Sequence, residues 1–225
     1  METTTIDALN SVDTQLFYWI NQHHCTVADY VLYAFTQHWS WMVMIVLFFV
    51  ATMVKSPSKR WWWLIAVGVA LCFLFADRIT VLCFKDVFQR LRPCHALPDV
   101  RMIFGMGCGG QYGFVSGHAA NSFATAMFFA LWSRKYVKAM PYVAFGWAAI
   151  VSYSRPYLGK HYPGDIICGA LLGLLIGWLI YLFINLIHNK IEQYRPTQLP
   201  GTADAFAKDT AEPNTPEATT KDTDN

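Results

Sequence analysis

SRPYLGKHYPGDIICGALLGLLIGWLIYLFINLI, residues 154–187, sets a short charged island directly against a long apolar run. Arg155, Lys160, His161 and Asp165 fall within twelve residues. The run from about 163 to 187 is long enough to cross a hydrocarbon core of ~30 Å, which takes ~20 apolar residues. Read alone, the stretch places a polar cluster at the edge of a membrane-spanning helix.

The same alternation recurs toward the N-terminus. Apolar stretches near 30–54, 61–84, 118–132 and 139–153 complete a set of five expected spans. The third and fourth are short, and their polar ends are expected to complete them. Composition agrees: the 225 residues are 55% hydrophobic and only 14% charged, with mean hydropathy +0.29. A soluble domain carries roughly a quarter charged residues. The fold class expected is therefore all-α, a polytopic membrane helical bundle. A net charge of +2 gives no sign of a nucleic-acid partner, and oligomeric state cannot be read.

The N-terminus has no basic region and no early apolar core, so no cleavable signal is expected. Residues 6–22 place Leu9, Val12, Leu16, Trp19 and Ile20 at helical spacing. They form either an amphipathic helix in the membrane interface or a leader packed on the bundle. The tail from about Pro196 is rich in Thr, Asp, Ala and Pro and is expected to be disordered. This divides the chain into a membrane domain, 1–195, and a tail, 196–225.

No Lys or Arg precedes Lys55. Lys55, Lys59 and Arg60 form one basic cluster, Arg134, Lys135 and Lys138 a second, and Lys190 and Arg195 a third. With five spans all three lie on one side, and the bias of basic residues in short loops makes that side the cytoplasm. The loop of about 93–115 and the island at 154–165 then lie outside. Lys85, Arg90, Arg92, Arg101, Arg155 and Lys160 break the rule, and each needs a local reason.

Three polar islands share that outer edge. KDVFQRLRP, 85–93, spaces Lys85 and Arg92 by seven, two turns on one helical stripe that includes Arg78, with Pro93 ending the helix. In FVSGHAAN, 114–121, Ser116 is an expected N-cap, and Gly117 and His118 open a helix whose first N–H groups attract an anion. In the third, Asp165 is four residues from His161 and within reach of its imidazole. Three cations, two histidines and a helix N-terminus suit a tetrahedral oxyanion and acid–base or nucleophilic chemistry. Positive charge at a membrane edge is costly without a partner, and a phosphate supplies one. Asp77 and Arg78, deep in the second span, read as a structural ion pair to a neighbouring helix in preference to catalytic groups.

The three motifs resemble those of the type 2 phosphatidic acid phosphatase (PAP2) superfamily: KxxxxxxRP, PSGH and SRxxxxxHxxxD. Here they stand as Lys85-x6-Arg92-Pro93, Val115-Ser116-Gly117-His118 and Ser154-Arg155-x5-His161-x3-Asp165. Val115 replaces the usual Pro, a position that supplies no chemical group. The resemblance covers roughly residues 10–190. It implies a metal-free phosphatase with no cofactor and a covalent phosphohistidine. His161 is then the nucleophile, Asp165 its orienting carboxylate and His118 the acid–base. Lys85, Arg92 and Arg155 bind the phosphoryl oxygens, with donors from Ser116 and Gly117.

The substrate implied is a membrane lipid carrying a phosphate or diphosphate. It would be an envelope lipid of the bacterial inner membrane, such as undecaprenyl diphosphate or a phosphate of lipid A, met at the periplasmic face. Phosphatidylglycerophosphate and phosphatidic acid are the alternatives within the family. A haloperoxidase sharing the anion site conflicts with five spans. A non-catalytic binder or flippase would not need His118, His161 and Asp165 together.

The six cysteines (Cys25, Cys72, Cys83, Cys94, Cys108, Cys168) show no metal-binding spacing. Cys94 and Cys108 share the outer loop, either as a bridge closing about 15 residues or as two free thiols.

Overall fold

A computed structural model describes residues 5–194; the expected disordered tail lies outside them. Contacts divide the chain into Met1–Asn189 and Lys190–Asn225, and the first unit carries everything below. It is built from helices: α1 (Thr5–Gln22), α2 (Thr26–Thr36), α3 (His38–Lys55), α4 (Trp62–Ile79), α5 (Asp86–Phe88), α6 (Pro93–Ala96), α7 (Gly117–Ser133), α8 (Met140–Tyr157) and α9 (Pro163–Gln193). Three helical stretches are long and apolar enough to span: His38–Lys55, Lys59–Phe88 and Pro163–Gln193.

α7 and α8 are the inner layer, which explains their lower hydropathy. α7 buries Ala119, Ala120, Ala124, Phe128 and Phe129 completely, together with Ser122 and Thr125. Its surroundings are protein, not lipid, so small residues that permit close approach replace large apolar ones. α9 meets it through Gly169, Gly173 and Gly177. A Cβ at Gly169 would stand 2.6 Å from the Ser116 carbonyl oxygen, and at Gly173 and Gly177 it would land on the carbonyls of Ala120 and Ala124. Glycine every fourth residue is what lets the two backbones touch.

The first span departs from the single helix expected over 30–54. It breaks at Gln37, whose backbone is extended (φ −79°, ψ 148°). Freed carbonyls are recaptured locally: Ser40 Oγ donates to the carbonyls of Gln37 (2.8 Å) and Phe35 (3.1 Å), and Trp41 Nε1 to Phe35 (3.2 Å). The break turns Thr36 toward Arg155, whose Nη1 donates to the Thr36 hydroxyl.

The N-terminal helix packs one face on the bundle. Asp13, Phe17 and Asn21, spaced by four, face the bundle, with Phe17 and Asn21 fully buried. Asn21 Nδ2 donates to the Tyr157 carbonyl at 2.9 Å. Leu9, Val12, Leu16 and Trp19 remain exposed and suit an interface.

The α4 stretch continues through a wide π turn, Thr80–Lys85, and ends at Phe88. Gln89 then adopts a left-handed backbone (φ 48°). This corrects the expected stripe: Pro93 does not end the helix but opens α6, and Arg92 is not on one helical face with Lys85. The π turn has its own consequence. In a regular helix the eight residues from Asp77 to Lys85 would overshoot alignment by ~80°. The wider turn winds less per residue, and both side chains line one cavity with Phe73.

Contacts at the opposite end of the bundle fix the alternation of helices. Thr52 and Ser133 hydroxyls lie 2.7 Å apart. The His188 ring packs edge-on against Trp61 and Trp132, at 4.6 and 5.7 Å between centroids. The ends of α3 and α7 and the start of α4 therefore lie away from the three motifs, carrying Lys55, Arg60 and Arg134 with them.

Candidate active site

The start of α3, the end of α4 with its π turn, the start of α7, the last turn of α8 and the link before α9 converge on a cavity of about 500 Å³. Lys85, Arg92, Gly117, His118, Arg155 and His161 line it, so residues up to 76 positions apart are brought together. Trp41, Met42, Ile45 and Phe73 form its apolar side.

Each cation is held differently. Arg155, in the last turn of α8, is only 4% exposed, and its Nε has no hydrogen-bond partner among the described residues. A buried guanidinium donor left over on a cavity wall is suited to an anion. Arg92 organises the glycine-rich loop: its Nη1 donates to the Cys108 carbonyl (2.9 Å) and its Nε to that of Tyr112 (3.2 Å). Backbone bonds from Arg92 to Gln111 (3.1 Å) and from Gly113 to Arg90 (2.8 Å) hold the same loop. Cys94 and Cys108 are joined as a disulfide with Cα atoms 5.9 Å apart. The bridge ties α6, which follows Arg92 directly, to the loop that Arg92 grips.

His161 lies between α8 and α9 and is 2% exposed. Its Nδ1 faces Asp165 Oδ2 at 3.4 Å. The tautomer that donates Nδ1–H to this carboxylate leaves the Nε2 lone pair free. Burial, followed by the Arg155, Arg92 and Lys85 charges, holds the imidazole well below the ordinary histidine range. It is therefore neutral at physiological pH. Lys160 beside it is pulled down to about 8, first by burial and then by Arg155 and Arg92. It does not line the cavity.

Asp165 is completely buried, and its other oxygen reveals what sequence reading left out. Oδ1 accepts from Arg90 Nη1 at 2.9 Å, and Arg90 Nη2 donates to Asp13 Oδ2 at 2.7 Å. Asp13 Oδ1 accepts the Gly164 N–H at 2.7 Å. The Arg90 guanidinium stacks over Tyr162 at 4.0 Å, and the Tyr162 N–H donates to Asp165 Oδ2 at 3.0 Å. A relay thus runs from α1 through Arg90 to Asp165 and His161. The available signal was that Arg90 is a basic residue on the side where basic residues are scarce.

Two further expectations are corrected. Ser116 occupies the N-cap position of α7, but its side chain makes no capping bond. It does not line the cavity: its Oγ is buried without a partner among the described residues, and its N–H donates to the Asp165 carbonyl at 3.0 Å. Gly117 and His118 alone bring the α7 start to the cavity wall, with the His118 ring edge-on to Trp41 at 5.6 Å. Asp77 forms no ion pair among the described residues. Its Oδ1 accepts from Asn121 Nδ2 at 2.6 Å, and both residues line the cavity.

Residues 61–188 match the model of the PAP2 superfamily. The chain is 34% identical over 203 residues to a lipid A 4'-phosphatase of Bacteroides thetaiotaomicron, covering 87% of this chain and 86% of that one. It is 33% identical over 174 residues to a lipid A 4'-phosphatase of Porphyromonas gingivalis, covering 76% and 72%. Among solved structures, the transmembrane PAP2-type phosphatidylglycerolphosphate phosphatase from Bacillus subtilis superposes with a TM-score of 0.61 at 20% identity, over 84% of this chain and 90% of that one. That likeness is one of fold. By its family model and by relatives matched over most of their length, the chain belongs to the PAP2 superfamily and is a membrane lipid phosphatase.

Proposed function

We propose that the protein removes a phosphate from lipid A at the outer face of the bacterial inner membrane, through a phosphohistidine and without a metal. The observation that carries the reading is the cavity itself. It joins three cations and three histidines, His38, His118 and His161, to an apolar wall of Trp41, Met42, Ile45 and Phe73, the shape a lipid phosphate requires. Two relatives matched over most of their length are lipid A 4'-phosphatases, which favours lipid A over a prenyl diphosphate. The basic residues at the far end of the bundle favour a cytoplasmic location for that end and a periplasmic site.

In the proposed chemistry, Lys85, Arg92 and Arg155 hold the phosphoryl oxygens. His161 Nε2 attacks phosphorus in line, while Asp165 stabilises the charge that develops on the ring. His118 gives a proton to the departing sugar oxygen, then takes one from the water that cleaves the N–P bond. So cationic a site disfavours a divalent metal.

The test is phosphate release from lipid A by purified protein in excess chelator. Turnover with recovery of the dephosphorylated lipid is expected, as is competitive inhibition by vanadate. Activity lost in chelator and restored by a divalent cation would defeat the mechanism. Turnover of undecaprenyl diphosphate but not lipid A would reassign the substrate.

A further inference from the structure

The cavity holds one carboxylate that the phosphate chemistry does not use. Asp77 sits inside the second span and is exposed to the cavity. A carboxylate at membrane depth is costly and marks a functional position. Near a bound phosphate it is more costly still, since like charges repel. It forms no close ion pair among the described residues, although the Lys85 charge on the same cavity wall attracts it, and its one side-chain hydrogen-bond partner among them is Asn121.

That bond fixes the polarity of both groups. Asn121 must donate through Nδ2, so its Oδ1 is the free acceptor, buried and without a partner among the described residues. Asn121 is only 7% exposed and sits three residues after His118 on α7, ~4.5 Å further along the helix. The pair therefore offers acceptors, and no spare donor apart from the second Asn121 hydrogen, about one turn from the residue assigned to the leaving oxygen.

We propose that Asp77, oriented by Asn121, reads a hydrogen-bond donor on the substrate beside the phosphoester. The donor would be a hydroxyl or amide N–H within about two carbons of it, as a phosphorylated amino sugar presents. This rests on the lipid phosphate reading of the cavity and deepens it. The site would then favour sugar-borne and polyol-borne phosphates over prenyl diphosphates and phosphatidic acid, which present no such donor. Asp77 is the contact residue and Asn121 a positioning residue.

Two lipids isolate the donor: phosphatidylglycerophosphate, with a hydroxyl next to the phosphorylated carbon, and phosphatidic acid of the same chains, with an ester there. Selectivity is the ratio of their kcat/KM values, or of their inhibition constants against lipid A if either is not turned over. Wild-type protein is expected to favour the hydroxyl-bearing lipid by about tenfold to a hundredfold, the range for a hydrogen bond to a charged group. Asp77→Asn and Asn121→Ala are expected to bring the ratio for the two lipids to about one, whatever the lost phosphate repulsion does to both alike. No preference in the wild type, or equal loss on both lipids in the variants, overturns the proposal. Inertness toward lipid A would strike the proposed function alone, with selectivity then read against whichever lipid phosphate is turned over.

Discussion

Replacing Arg90 tests whether the relay behind His161 serves catalysis. In Arg90→Gln, Asp165 Oδ1 loses its only cationic hydrogen bond and Asp13 Oδ2 loses its partner. Asp165 is fully buried and the Arg90 side chain is 24% exposed. Breaking a fully buried charged pair costs about 3–5 kcal/mol, and a single hydrogen bond to a charged group is worth about 1.5–3. Arg90 is partly solvated, so the lower range applies. Asp165 then keeps only the Tyr162 N–H and a loose contact to the imidazole, and it turns more freely. If half of a 3 kcal/mol loss falls on the transition state, kcat drops by about tenfold.

The assay is kcat and KM on the lipid substrate, beside thermal unfolding in detergent. KM should stay near wild type, because Arg90 does not line the cavity. Arg90→Lys, which keeps the charge but not the fork, should recover part of kcat. Asp13→Asn leaves the Arg90–Asp165 bond in place and should cost less. In a double-mutant cycle the two losses should be non-additive by about 0.5–3 kcal/mol. Wild-type kcat in Arg90→Gln, or strict additivity with Asp13→Asn, would refute the relay.

His161→Ala should abolish turnover in a protein that still folds and inserts. His118→Ala should slow it by about 10²–10⁴, less for a lipid phosphate with a good leaving group; near-normal turnover in His161→Ala would remove the nucleophile. The rate should be bell-shaped in pH, with an acid limb below the usual histidine range. His161 is held neutral, so activity fails only when acid finally protonates it; Arg92→Gln removes one of the repelling charges and should move that limb upward. Cys94→Ser should lower stability by up to about 3 kcal/mol, the value for closing a loop of 15 residues, in a scan repeated with and without reductant; a reductant-insensitive wild type would exclude the bridge.

The fold was legible wherever apolar length alone decides the matter. The runs ending at Lys55 and beginning at Pro163 have no alternative to a helix in lipid. Hydropathy is blind to how backbone is satisfied inside a span. Gln37 breaks the first span because Ser40 and Trp41 recapture its freed carbonyls, and neither residue type signals that role. The π turn before Lys85 is equally silent, since it changes winding without changing composition.

The site was legible in its chemical groups and not in their support. Lys85, Arg92, His118, Arg155 and His161 stand at fixed spacings, and the cavity brings them together. Their spacing does not report geometry: Lys85 and Arg92 share the cavity although no helix joins them, because Gln89 turns the chain. Arg90 shows the deeper reason. Its partners Asp13 and Asp165 lie 77 and 75 positions away, so no local pattern contains the relay. The imbalance of basic residues was the one sequence-level trace. Asp165 explains why the relay exists: a carboxylate with no solvent must find its donors within the protein, and a histidine that depends on it inherits every contact that holds it.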